Sequence, residues 1–171
     1  MYNILKFMYS PFLYSRIVKF CDSYGLGVGN LIKGTGLFYP AVMGQSAWES
    51  GYGDKIPQGS NNFGGIKYNP NLQGVVGYVE TDTVEYIKGK KVFIKQKFSK
   101  FKDVESGFRG HIQVLLSERY KNARLLAKTP EEQLYMIVQA GYSTNTPANY
   151  VKSLRPLVQE VTDYNKIGRI G

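Results

Sequence analysis

The chain has 171 residues, a formal net charge of +9, 14% aromatic residues, one Cys and one His. The single Cys21 excludes an intrachain disulfide, and with His111 as the only histidine it argues against a Cys/His zinc site. Excess Lys and Arg point to an anionic partner, whether nucleic acid, an acidic membrane surface or an anionic cell-wall polymer, and the 14 tyrosines suit stacking on sugars or bases.

Residues 1–171 have the length of one domain and are read as one. Residues 1–14, MYNILKFMYSPFLY, carry one positive charge, and Lys6, Ser10 and Pro11 interrupt their apolar run. No small-residue cleavage site follows, so they do not read as a signal peptide. No stretch is long and apolar enough to span a bilayer, and no stable membrane insertion is expected. Tyr14, Ile17, Val18, Cys21 and Tyr24 fall at helical spacing, which predicts a helix over 11–25 stopped by Gly25. GLGVGNLIKGTG then reads as a turn-rich connection with one short helical turn. Pro40 suits the first turn of a second helix over 40–50, and Gly51 suits its exit. Residues 54–74 are dense in Pro, Gly and Asn, a loop long enough to suggest function.

Residues 75–101 change character. VVGYVETDTVEYI and VFIKQKFSKF read as extended segments around a tight turn at Lys88-Gly89-Lys90, a β-hairpin or small three-stranded sheet. From Asp103 the helical period returns, with Phe108, Ile112, Leu115 and Leu116 on one face. Thr129-Pro130-Glu131-Glu132 is a capping box that opens a helix running to Gln139. Pro147 starts a final helix with Tyr150, Val151, Leu154, Leu157, Val158 and Val161 as its apolar stripe. The fold class is therefore α+β, mostly α: a helical domain with a small β-hairpin lobe at about 75–101 and a cleft between the two.

One carboxylate has a physical reason to act. On the helix over 40–50, Val42, Gln45, Ser46 and Glu49 share a face. Glu49 stands in the last turn, where the helix dipole disfavours a negative charge. Trp48, Tyr52 and Phe63 are available to wall it off from water. Dipole and desolvation both raise its pKa, as a general acid requires.

The flanks carry a resemblance. QSAWESGYG, NNFGGIKY, TVEYIKGKKVFIKQKFSKF and AGYSTNTPANYVKSL stand in the order and spacing of the N-acetylglucosaminidases of glycoside hydrolase family 73, over roughly residues 12–160. This chain departs in Phe63-Gly64-Gly65-Ile66-Lys67, one glycine longer than the usual pattern, and in offering Asp82 and Glu80 close to Glu85. The resemblance implies a lysozyme-like fold and hydrolysis of the β-1,4 bonds of peptidoglycan glycan strands. It makes Glu49 the general acid, Glu85 the base or water-activating residue, and Tyr142 a support of the catalytic centre. Trp48, Asn62, Phe63 and Tyr150 would line the substrate cleft. It implies no metal or organic cofactor, and a monomer is expected. A lytic transglycosylase or muramidase on the same polymer is the nearest alternative. Without a signal peptide, a phage or virion-associated lysin fits better than a secreted autolysin.

Strand alternation sets Asp82 and Glu85 on opposite faces, so a regular strand does not bring both to one site. The lysines at 88, 90, 91, 95, 97, 100 and 102 suit attraction to an anionic wall. A Cys21–His111 amidase or peptidase is disfavoured, because Cys21 lies on an apolar face and His111 sits beside the apolar face of its helix without a clear partner. No recognisable nucleic-acid motif accompanies the basic charge, and nucleic acid is not an expected partner.

Overall fold

The computed structural model describes residues 11–87 and 90–166, with side chains from Arg16 to Thr83 and from Lys90 onward. Helices α1 (Pro11–Ile32) and α2 (Tyr39–Ser50) come first, then strands β1 (Val75–Ile87) and β2 (Lys90–Phe101). Helix α3 (Val104–Leu115), a 3-10 turn (Glu118–Tyr120), α4 (Lys121–Leu126), α5 (Pro130–Gln139) and α6 (Pro147–Lys166) follow.

Helix α1 runs through Gly25, Gly27 and Gly29 instead of stopping at Gly25. Cys21, Gly25, Val28 and Ile32 are all buried at helical spacing, so one apolar face continues past the expected end. Tertiary packing outweighs the weak helix propensity of glycine here. Helix α2 is buried from Ala41 to Ala47 and packs against α6, which also receives α5. A helix enclosed on most sides needs no polar stripe, which leaves its few polar side chains to form a buried network. Gly51 closes α2 in the left-handed conformation (φ 55°), with its N–H directed to the carbonyls of Ala47 and Trp48.

Ala41, Leu134, Tyr150, Leu154 and Val158 join α2, α5 and α6 in one cluster. A second, larger cluster holds α1, α2 and α3 together around the rings of Phe20, Tyr24, Phe63 and Phe108. Asp103 caps α3 by accepting from Ser106 N at 2.8 Å. Thr129 caps α5 as its sequence predicts, accepting from Glu132 N at 3.1 Å, while Glu132 reaches back to Lys128 N at 2.7 Å.

The β lobe is two antiparallel strands, in a register that sets Glu80 opposite Lys97 and Asp82 opposite Lys95. Opposite charges in facing positions support that register. In place of a third strand, a single bridge joins Lys67 to Phe98. Of the turn expected at 88–90, residues 88 and 89 lie outside the described residues, and Lys90 opens β2. Along β1, Val79, Thr81 and Thr83 form a half-buried face, and Tyr78, Glu80 and Asp82 an exposed one.

Candidate active site

The end of α2, the loop over 55–69, strand β1 and the turn after α5 enclose a cleft of about 880 Å³. Glu49, Gly65, Thr83, Tyr142 and Arg119 are among its walls. Glu49 is half-buried in the last turn of α2, and burial raises the pKa of its carboxyl, opposed in part by a hydrogen bond from Tyr150.

Behind Glu49 lies a connected set of buried polar groups. Tyr150 Oη donates to Glu49 Oε1 at 2.7 Å, and accepts from Gln45 Nε2 at 3.0 Å. The other end of that amide, Gln45 Oε1, then accepts from His111 Nε2 at 3.2 Å. A ring that donates from Nε2 accepts at Nδ1 when neutral, and Ser46 Oγ stands 3.1 Å from Nδ1. Tyr142 Oη also lies 3.1 Å from His111 Nε2, and donates to the carbonyl of Gly64 at 2.8 Å. One neutral tautomer of His111 thus satisfies every member. The ring is fully buried, and burial pushes its pKa down to about 4. Burial and the nearby Glu49 charge hold the Tyr142 and Tyr150 hydroxyls well above their ordinary value, so both stay protonated donors. With Oε1 accepting from Tyr150, Oε2 is the Glu49 oxygen left to carry an acidic proton.

Both glycines of the lengthened loop have a reason. A Cβ at Gly64 would stand 2.7 Å from His111 Cγ, so only glycine lets this peptide lie against the ring. Gly65 has φ +59°, and a Cβ there would lie 3.5 Å from Glu49 Oε2. Asn62 staples the loop from beneath: its amide donates to the carbonyls of Ile66 (2.9 Å) and Ser99 (3.0 Å) and accepts from Ile66 N (2.9 Å).

The structure brings Glu49, Tyr142 and Asn62 to the cleft, though the Asn62 side chain is 2% exposed and spent on backbone. Phe63 is corrected: it is buried and stacked on Phe108, with ring centroids 4.5 Å apart, so it underlies the loop and does not line the cleft. Tyr150 is likewise buried, a partner of Glu49 and not a cleft wall. Trp48 is 48% exposed and stands outside the cleft, because neighbouring helical positions diverge by roughly 100°. Tyr142 and Tyr150, not Trp48, crowd the carboxyl. The Glu85 backbone pairs with Val92, two positions beyond Thr83; its side chain lies outside the described residues. Asp82 lines the cleft.

His111 is the residue the sequence reading missed. Far from lacking a partner, it meets Ser46, Gln45 and Tyr142. Cys21 is buried in the core as expected. Among the described residues, no group of three or more His, Cys, Asp or Glu is placed to hold a metal, and no helix is long and apolar enough to cross a membrane.

Residues 30–163 match the glucosaminidase family model, described as mannosyl-glycoprotein endo-beta-N-acetylglucosaminidase. The chain belongs to the glucosaminidase family. The chain is 26% identical over 136 residues to the peptidoglycan hydrolase FlgJ of Pseudomonas aeruginosa, a match covering 76% of this chain and 33% of that protein. It therefore spans only a part of that relative. Its fold superposes on a peptidoglycan hydrolase mutant from Sphingomonas sp. A1 with a TM-score of 0.70 at 21% identity, covering 85% of this chain and 98% of the other. The catalytic domain of the autolysin Auto from Listeria monocytogenes superposes with a TM-score of 0.68 at 22% identity, covering 93% and 88%. At such identities the likeness speaks for the fold alone. That fold is the mostly helical, lysozyme-like one with a small β lobe that the sequence predicts.

Proposed function

We propose that this chain hydrolyses the β-1,4 glycosidic bonds of peptidoglycan glycan strands as an endo-β-N-acetylglucosaminidase, with Glu49 as general acid. The observation that carries the reading is the setting of Glu49: a half-buried carboxyl in the cleft wall, its pKa raised by burial. Family membership supports the bond type, and the name of the FlgJ relative supports peptidoglycan as the polymer. Tyr150 fixes the carboxyl through Oε1 while Oε2 gives its proton to the glycosidic oxygen as the bond breaks. Glycoside hydrolysis pairs such an acid with a second group that activates water or stabilises the sugar cation. We assign that role to Glu85. Its strand position follows those of Thr81 and Thr83, which line the cleft. Lys55, Lys67 and Arg119 also line the cleft, a charge balance suited to an anionic wall polymer.

The test is lysis of purified cell walls. Glu49→Gln keeps the fold but has no acidic proton, and activity falls by about 10²–10⁴-fold; Glu85→Gln falls as well. Near-native lysis by folded Glu49→Gln would remove Glu49 from the mechanism. Near-native lysis by Glu85→Gln would move the second role to Asp82 or to the 2-acetamido group of the substrate.

A further inference from the structure

The general acid does not stand alone on α2. Its hydrogen-bond partner, Tyr150 of α6, is connected through α2 and α3 to the loop peptide on the other side of the cleft. The link is His111, the only histidine of the chain and a fully buried one. Ser46 Oγ–H faces Nδ1, and Nε2–H faces both Gln45 Oε1 and Tyr142 Oη. The Gln45 amide passes the direction on, Nε2 donating to Tyr150 and Tyr150 donating to Glu49. Every donor in this branch points toward the carboxyl. The other branch runs through Tyr142 to the carbonyl of Gly64, whose neighbour Gly65 sits against Glu49 Oε2.

We propose that His111 and Gln45 are positioning residues for the acid: one neutral imidazole fixes the direction of a hydrogen-bond chain ending on Glu49 Oε1 and, through Tyr142, holds the Gly64–Gly65 peptide over Oε2. The inference rests on Glu49 being the general acid. Its physical content is directional. Were Nε2 to lose its proton, Gln45 Oε1 would face a lone pair and the amide would turn over. Tyr150 would then face an acceptor on both sides, and its single hydroxyl proton would be contested between Glu49 and Gln45. The carboxyl would lose the donor that holds one oxygen still and that favours its ionised form. The groups facing Glu49 are Tyr150 from α6 and Tyr142 after α5. Lys55 and Lys67 from the loop, Asp82 from β1 and Arg119 from the 3-10 turn line the same cleft. His111, Gln45, Ser46 and Tyr150 are the members of the network that do not line it.

The test compares two amides at position 111. Gln reaches the place of Nε2 and keeps a donor for Gln45; Asn reaches only the place of Nδ1 and leaves Gln45 without one. In His111→Asn, kcat on cell-wall glycan falls by about 10-fold or more while KM stays within about 3-fold. The basic limb of its pH–rate profile moves to higher pH, because Glu49 has lost its donor. His111→Gln recovers part of kcat and returns the limb toward the wild-type position. Carbon-13 NMR follows the Glu49 carboxyl directly, and its titration in His111→Asn moves in the same direction as the limb. A folded His111→Asn protein with unshifted limb and titration, or equal kcat for the two amides, overturns the proposal. If His111→Asn does not fold, Gln45→Met cuts the chain one link later and must show the same upward shift, or the proposal fails. The two ideas separate cleanly. A shifted Glu49 titration in a protein whose Glu49→Gln variant still lyses walls keeps the chain and removes Glu49 as the acid.

Discussion

The buried His111 makes the fold acid-labile in a predictable amount. Unfolded, the ring takes up a proton near its ordinary 6.5; folded, it resists protonation until about pH 4. Its contribution to stability is fully present above pH 6.5 and is lost as pH falls from there toward 4. At 1.36 kcal/mol per pH unit the loss by pH 4 comes to about 3 kcal/mol. The ring is fully buried, so solvent screening does not discount it. His111→Gln removes the titration while keeping an amide in the ring's place. Urea unfolding at pH 7.5 and pH 4.0 measures both proteins, and other groups titrate in common. The wild type should lose about 3 kcal/mol more than the variant between the two pH values. With a denaturant slope near 2 kcal/mol/M, that is a relative midpoint shift of about 1.5 M urea. Equal losses in the two proteins would refute the reasoning, because His111 would then titrate alike in the folded and unfolded states.

Two further variants test the packing around the site. Gly64→Ala drives a Cβ to 2.7 Å from His111 Cγ; it should lower stability by about 1–3 kcal/mol in urea unfolding, and lower lysis by displacing the carbonyl that Tyr142 holds. Glu160 on α6 is 3% exposed, and neither of its oxygens has a hydrogen-bond partner among the described residues. Burial raises its pKa above the ordinary 4.5, so stability is full below that value and is lost as pH rises through the folded value. Glu160→Gln, neutral throughout, should therefore gain stability on the wild type at pH 8 relative to pH 4 in thermal melts; parallel melting profiles would refute it.

Glu49 was legible because its chemistry is local: helix position, dipole and a turn-forming Gly51 are all written within a few residues. Its partners were not, because each arrives from a different element. Gln45 was visible one turn before Glu49 on the same face, but nothing in α2 alone says that its amide turns toward Tyr150. Tyr150 reads as one more apolar position in the stripe of α6, and its hydroxyl matters only once α6 packs on α2. Phe63 was assigned by the resemblance and Trp48 stands beside Glu49 in the sequence, whereas burial decides their roles and depends on long-range contacts. The signal for His111 lay in its neighbours. Gly107 and Gly110 precede it on α3, where a Cβ would stand 1.8 Å from Asn61 O and 2.3 Å from Phe101 Cε1 respectively. Two such glycines mark a helix pressed closely against its surroundings, and a histidine within such a helix is buried with partners. The β-hairpin was legible from alternation, and α4 was not, since six residues are too few for a helical period.

The claim that matters most is the bond cut. Mass spectrometry of the fragments released from purified peptidoglycan reads it directly, by the sugar at the new chain end. The proposed activity predicts a reducing N-acetylglucosamine end, absent from the Glu49→Gln digest. A reducing muramic acid end, or an anhydromuramoyl end, would contradict it.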